Sequence, residues 1–314
     1  MDYKKLVEKK NTLDKYRPFA VDLSARLDSW FKIELTYISN SLEGNSLSRY
    51  ETAAIIEKTL TIGGKSINEH LEVVNHIKAL EFIKKQSLRQ ISTITEQDIS
   101  NIHKIILHGI DSQNIATYRK IPIRIANSNM ILSKPHKIPN LMKKFIAWLI
   151  TENTLHPVEL AASAHYNLIA IYPFANGNEK TARLLMNLIL LMKGYPPAII
   201  KEQDKSSYQN FIRKLQLKLI ARAINYSFDM CFKIISDNHK LKNDGQLLKI
   251  GELAKQVNES NSTIRYWTKK GLLKATQITR SGYQLYAKEV IDRIKKIKIL
   301  QEQRYSLKEI KKML

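Results

Sequence analysis

The sequence predicts a mainly α-helical protein of two domains. The first is large and helical, interrupted by one β-hairpin; the second is small, basic and built of short helices around a tight two-stranded wing. Three observations carry this. Apolar residues recur at helical spacing through most of the first 240 positions. Within those positions only 121–132 reads as strand. Positive charge is concentrated in the last 69 residues, and 314 residues suffice for two cores.

Along the chain, Leu71, Val74, Ile77 and Phe82 mark one expected apolar helix face, and Leu141, Phe145, Trp148 and Leu149 another. Between them, Ile121-Pro122-Ile123-Arg124-Ile125 alternates, and Asn127-Ser128-Asn129 supplies turn residues before Met130-Ile131-Leu132. This is the expected hairpin, confined to an edge by Pro122. A helix beginning near Glu179 carries Leu184, Leu185, Leu188 and Leu191 into the core and is broken by Pro196-Pro197. A last helix is expected over 206–235. Polar residues over 236–246 (Asn238, Asn243, Asp244 and Gly245 among them) read as a linker, which divides the chain into domains 1–235 and 247–314. After it, Ile250, Leu253, Ala254 and Val257 lie at i, i+3, i+4 and i+7 of a short amphipathic helix. A polar turn over 258–262 leads to a second helix with Ile264 and Trp267 inward, ended by Gly271. Residues 276–286 suggest a wing around Ser281-Gly282, and two further helices follow.

Formal net charge is +22. Two readings stand: an anionic partner such as nucleic acid, or a lysine-rich composition with no partner behind it. Residues 246–314 hold 16 Lys/Arg against 6 Asp/Glu, about three times the net density of the rest, which composition alone does not explain. The single Cys231 excludes an intrachain disulfide and a cysteine-based zinc site. The first residues lack the apolar core of a signal peptide. The longest apolar run, 184–192, contains Asn187 and is too short to span a bilayer. A cytoplasmic setting without membrane contact is therefore expected. The eight histidines show no metal-ligand spacing. Gly63-Gly64-Lys65-Ser66 is not a P-loop, because Thr59 stands where that motif needs glycine and no strand precedes it.

The stretch Tyr172-Pro173-Phe174-Ala175-Asn176-Gly177-Asn178-Glu179-Lys180-Thr181-Ala182-Arg183 reads as a phosphate-binding turn that opens a helix. Free N–H groups and the positive end of a helix dipole attract phosphate there. The segment resembles the signature loop of the Fic family, His-Pro-Phe-x-Asp/Glu-Gly-Asn-Gly-Arg-x-x-Arg, whose members transfer AMP from ATP to protein hydroxyls. Pro173, Phe174, Gly177, Asn178 and Arg183 match. The resemblance implies a helical Fic-type core in which Gly177, Asn178, Glu179, Lys180 and Arg183 face nucleotide, with ATP and Mg²⁺ as cofactors. Four positions depart from the pattern. Tyr172 replaces the histidine that acts as general base, and ionising a phenol at pH 7 costs roughly 4 kcal/mol. Asn176 offers Mg²⁺ a neutral oxygen where the family has a carboxylate, so metal is weakly held. Glu179 adds a negative side chain where glycine allows close approach. Lys180 keeps a charge but loses the bidentate fork of arginine.

Ser39-Asn40-Ser41-Leu42-Glu43-Gly44-Asn45 resembles the family's inhibitory helix, which implies that Ser39, Glu43 and Gly44 restrain the site through a Glu43–Arg183 pair. Residues 61–65 and Glu72-Val73-Val74-Asn75 resemble the family's N-terminal half. Tyr118-Arg119 and the hairpin through Met130 resemble the flap that holds a target protein by edge-strand pairing. The likeness covers about residues 10–215.

In the tail, 249–255, 262–273, Ser281-Gly282-Tyr283-Gln284-Leu285-Tyr286 and 305–310 resemble the MerR family of winged helix-turn-helix DNA binders. Two short helices joined by a tight turn place the second in the major groove of double-stranded DNA. Ser262, Thr263, Arg265, Tyr266, Lys269, Arg280 and Tyr283 are the expected DNA-binding residues, with phosphate contacts dominating affinity. Trp267, Thr268 and Gln284 depart from the family's usual Tyr, Glu and Arg. The family pairs through a long helix beyond this point, so pairing is expected through the Fic-like domain, or else a monomer binds DNA weakly. The leading expectation is a DNA-binding regulator with a catalytically impaired Fic-like domain. The alternatives are an AMP-transferase restrained by Glu43 and localised by its DNA-binding tail, and a scaffold that binds no nucleotide.

Overall fold

The computed structural model describes residues 3–124, 132–213, 215, 217–244, 247–279 and 283–314. These form fourteen α-helices and one three-stranded sheet, in two compact units that divide between Ile234 and Ile235.

The first unit begins with α1 (Lys4–Asp14), α2 (Val21–Leu42), α3 (Arg49–Lys58), α4 (Ile67–Gln86) and α5 (Glu96–Ile106). Reciprocal capping boxes start three of these: Ser48 with Glu51, Ser66 with Glu69, and Thr95 with Asp98. Next come α6 (Ile138–Thr151), α7 (Pro157–Ile171), α8 (Asn178–Met192), α9 (Lys205–Arg213) and α10 (Leu217–Asp244). Packed most extensively against α7, and also against α4 and α5, α8 is the central helix. It is apolar nearly all round, with Leu184, Leu185, Met186, Leu188, Ile189 and Leu190 all buried, as expected of a helix inside a core. Its N-terminal turn, where the loop opens, nevertheless buries Asn178, Lys180, Thr181 and Arg183. Buried polar groups need partners, and those partners define the site.

Two expectations change. The buried face of α4 is Val73, His76, Ala79, Leu80 and Ile83, with Asn75, whereas Val74 is exposed. Hydrophobic spacing misplaced that face because two of its members are polar and satisfied. Asn75 donates to the carbonyls of Ile106 and His108, and His76 Nδ1 lies 3.0 Å from Thr36 Oγ1. The helix expected over 206–235 is instead α9 and α10, and α10 runs on to Asp244 through the polar stretch. Of the hairpin flap, 125–131 lies outside the described residues; next to it Tyr118 forms an isolated antiparallel bridge with Phe174.

The second unit contains β1 (Leu248–Lys249), α11 (Ile250–Val257), α12 (Asn261–Lys269), β2 (Gln277–Ile278), β3 (Gln284–Tyr286), α13 (Val290–Glu302) and α14 (Leu307–Met313). The sheet order is β1-β3-β2, antiparallel throughout, with Leu248 opposite Tyr286 and Gln277 opposite Leu285. The expected wing is thus β2–β3; β1, two residues long, left no readable alternation. Leu253, Ile264, Trp267, Leu272, Tyr286, Ile294, Ile297 and Ile310 form a core of their own. Ser260 caps α12 by accepting from the Thr263 N–H at 3.0 Å.

Candidate functional site

In the first unit the loop between α7 and α8 is held from behind. Tyr172 and Gly177 both adopt left-handed backbone conformations, φ +50° and +66°. Asn178 closes the loop on itself: its Oδ1 accepts from the Phe174 N–H at 3.0 Å, and its Nδ2 donates to the Phe174 carbonyl at 2.9 Å. His103 stacks on Phe174 with centroids 3.7 Å apart. Its Nδ1 accepts from the Ala116 N–H at 2.9 Å, which fixes the proton on Nε2, the atom that donates to the Asn176 carbonyl at 3.1 Å. Burial pushes the His103 pKa down to about 4. Arg119 is buried and donates from Nε to the Tyr172 carbonyl at 2.8 Å, while its own N–H reaches the Pro173 carbonyl.

Near the start of α8, the buried Arg183 is saturated. Its Nε and Nη2 reach Ser39 Oγ at 3.0 and 2.9 Å, and Nη2 also reaches the Ser39 carbonyl at 2.9 Å. Nη1 donates to the Tyr208 hydroxyl at 3.0 Å, and Nη2 to Glu43 Oε1 at 2.6 Å. Tyr208 in turn lies 3.1 Å from His165 Nε2. Lys180 Nζ sits 3.6 Å from Glu43 Oε2 and 3.6 Å from Glu72 Oε1. Glu43 caps the C-terminus of α2, and Gly44 after it takes φ +96°. Burial pushes the Glu43 carboxyl up, but Lys180 and Arg183 outweigh it and leave the pKa below the usual value. Glu179 moves the other way, raised by burial and by Glu43 against the pull of Arg183. Burial, then Glu179 and Glu43, push the Tyr172 hydroxyl up to about 12. Asn176 is exposed, and its amide donates to Asp111 Oδ2 at 2.6 Å.

The structure therefore brings Ser39, Glu43, Tyr172, Glu179, Lys180 and Arg183 together around the first turn of α8. The side chain of Asn178 serves the loop backbone. Single-sequence reading missed His103, Tyr208 and the part played by Glu72, because they arrive from α5, α9 and α4. The likeness of Glu72-Val73-Val74-Asn75 to the family's N-terminal half is a signal for Glu72 alone. In chemistry, a helix N-terminus with Lys180 and Arg183 fits a polyphosphate, with Glu43 and Glu72 now engaging those cations. The donors for a divalent metal fit poorly. The neutral Asn176 turns its amide to Asp111, and no group of three or more metal-ligating side chains occurs among the described residues.

In the second unit, Arg265 and Lys269 of α12 line one groove with Lys249, Lys255, Tyr283 and Gln284. Ser262 is exposed and Thr263 half-buried, their hydroxyls 2.7 and 2.8 Å from the capping Ser260 Oγ. Exposed Tyr266 lies under Lys270 Nζ, 5.6 Å from the ring centroid. Arg280 lies outside the described residues.

A mainly helical domain whose strained loop opens a central helix, with an upstream carboxylate on the second loop-helix cation, defines a Fic-type fold. The Fic/DOC family matches residues 93–190, and the MerR HTH family regulatory proteins match 248–314. The protein adenylyltransferase Fic of Nematostella vectensis is 34% identical over 202 residues, covering 62% of this chain and 47% of that protein. Its namesake from Drosophila melanogaster is 37% identical over 179 residues, covering 56% and 36%. Fic-1 from C. elegans superposes with a TM-score of 0.64 at 28% identity, covering 74% of this chain and 70% of that one. A Fic domain-containing signaling protein from Bacteroides thetaiotaomicron gives 0.62 at 29% identity, covering 74% and 93%. The chain spans less than half the length of the two curated relatives. It carries a Fic/DOC domain followed by a C-terminal MerR helix-turn-helix domain. Among the described residues no helix is long and apolar enough to cross a membrane.

Proposed function

We propose that this protein is a DNA-binding transcriptional regulator whose Fic domain takes nucleotide phosphates but transfers AMP poorly. The observation that carries the impairment is the Tyr172 hydroxyl, pushed up to about 12 at the position of the family's histidine. About one molecule in 10⁵ is ionised at pH 7, so the group holds its proton when it should accept one. General-base help of the order of 10²–10⁴ in rate is then missing. Lys180 and Arg183 are the phosphate cations, ATP is the nucleotide, and Mg²⁺ at Asn176 is weakly held. The Arg265–Lys269 groove supports double-stranded DNA as partner, with α12 in the major groove. Pairing for that purpose is assigned to the Fic domain.

The test uses ATP labelled at the α-phosphate. Glu43→Gly is expected to leave little label on protein, and Glu43→Gly with Tyr172→His to raise it a hundredfold or more. Strong labelling by Glu43→Gly alone, abolished by Tyr172→Phe, overturns the impairment. Failure to retard any promoter fragment at low salt, including the protein's own upstream region, overturns the regulator.

One observation favours the second reading, an AMP-transferase held off by Glu43. The Arg183–Glu43 contact is intact at 2.6 Å, and a restraint is useful where there is an activity to restrain. On that reading the acceptor is a protein hydroxyl presented at the flap.

A further inference from the structure

We propose that Glu72 is a second anionic clamp on the α8 cations, one that keeps Lys180 from phosphate even after Glu43 is withdrawn. The proposal rests on the nucleotide-phosphate reading of the Fic domain.

The contacts are arranged crosswise. Glu43 spans both cations, with Oε1 on Arg183 and Oε2 toward Lys180. Glu72, from α4, places Oε1 at the same distance from Lys180 as Glu43 does, 3.6 Å. Its second oxygen accepts from Asn45 Nδ2 at 2.8 Å. Asn45 lies two residues beyond Glu43, in the turn that Gly44 opens, and its Nδ2 also donates to the Glu69 carbonyl at 3.2 Å. Ser46 adds a backbone bond to Glu69 at 2.9 Å. The turn behind the inhibitory carboxylate is therefore fastened to α4, and Glu72 is the fastening that also touches a site cation.

Two consequences follow. Removing the Glu43 side chain frees Arg183 from its acid but leaves the turn anchored and Glu72 beside Lys180. The Lys180 side chain is only 6% exposed, so it has little room to swing away from Glu72 toward an incoming anion. A phosphate approaching Lys180 must then meet a carboxylate already in place, in surroundings where charge is poorly screened. Lysine also suits a clamp of this kind, since its compact ammonium is satisfied by two single oxygens, whereas a guanidinium presents a fork.

Glu72→Gln removes the charge and keeps an amide oxygen for Asn45, so the turn stays anchored. ATP binding is measured by calorimetry, with Mg²⁺ and with EDTA, on the full chain and its variants. Glu72→Gln alone is expected to change affinity less than threefold, because Glu43 still engages both cations. Glu43→Gly with Glu72→Gln is expected to bind at least tenfold more tightly than Glu43→Gly, and Glu72→Asp in that background to return affinity toward the Glu43→Gly value. A gain below twofold, or no reversal by aspartate, overturns the clamp. A second arm needs no nucleotide. In urea unfolding, Glu72→Gln with Lys180→Met should have nearly the midpoint of Lys180→Met alone, since the partner is already gone. Additive losses overturn the clamp whatever ATP does. Non-additive losses with no ATP binding by any variant show instead that the phosphate reading is wrong, and the proposed role falls with it.

Discussion

Gly177 and Asn178 show how a loop can be built to open a helix. At φ +66° an L side chain is strained, and a Cβ at Gly177 would lie 3.2 Å from Ile106 Cδ1 and 3.6 Å from the His103 ring. Asn178 then ties both polar groups of Phe174, which are buried with it. Truncating that side chain leaves a buried N–H and a buried carbonyl without it. Asn178→Ala is expected to cost about 2–4 kcal/mol in urea unfolding, the sum of two unsatisfied groups at about 1–2 kcal/mol each. A loss below about 0.5 kcal/mol would mean that the loop closes by other means. Tyr172 tells the complementary story. Its left-handed φ of +50° is set by its N–H bond to the Leu168 carbonyl and by Arg119 on its own carbonyl, not by the phenol. Histidine tolerates that region at least as well. Tyr172→His is therefore expected to fold with a midpoint within about 0.5 kcal/mol of the parent, so that its activity reports chemistry and not stability.

Elements were legible where one short-range signal sufficed. The i, i+3, i+4, i+7 run of α11, the inward Ile264 and Trp267 of α12 and the wing are in place, since small helices expose one face and bury the other. In the larger unit the pattern failed where burial is polar: Asn75 and His76 lie on the buried face of α4, which apolar spacing alone did not place. The loop was legible from its own residues as a phosphate-binding turn and the turn at Glu43 only as resemblance, while the groups that hold them came from helices distant in sequence, for which spacing carries no information. The element on which the proposed DNA contact is most directly testable is α12. Arg265 and Lys269 sit one turn apart on its exposed side, at the groove. If both meet phosphates, each alanine substitution should weaken binding to all duplexes alike. Each should also reduce the slope of log affinity against log salt by about 1. An unchanged slope, with loss confined to one sequence, would assign that residue to a base edge. Ser260→Ala, which removes the cap, should cost about 1 kcal/mol of stability in this unit.

At the scale of the whole molecule, the first unit folds around three neutral histidines, and this ties its stability to pH. His76, His103 and His165 are at most 2% exposed. Burial lowers all three pKa values, with Lys180 and Arg183 adding to the effect on His76, and Arg183 to that on His165. His103 falls to about 4, His165 to about 3, and His76 well below its ordinary value. In the unfolded chain each would take a proton near pH 6.5. The unfolded state therefore binds more protons below that point, and stability present above pH 6.5 is lost as pH falls toward the folded-state values. Three such groups give a limiting slope of about 4 kcal/mol per pH unit, against a total of about 5–15 kcal/mol for a typical domain. The Glu43 carboxyl, held low, adds its own loss below the ordinary carboxylate range. His239 is the only histidine in the sequence of the second unit, which should respond far less over the same window. Unfolding followed by circular dichroism at pH 7.5, 6.5, 5.5 and 5.0 should thus resolve two transitions as acid is added. The larger one should move steadily to lower urea, while the smaller one, of the second unit, moves little. His165→Gln should flatten the slope of the first by about a third. A first transition that holds its midpoint from pH 7.5 to 5.5 would mean that these imidazoles take up protons in the folded state, and that the polar interior around α8 is more open than its packing indicates.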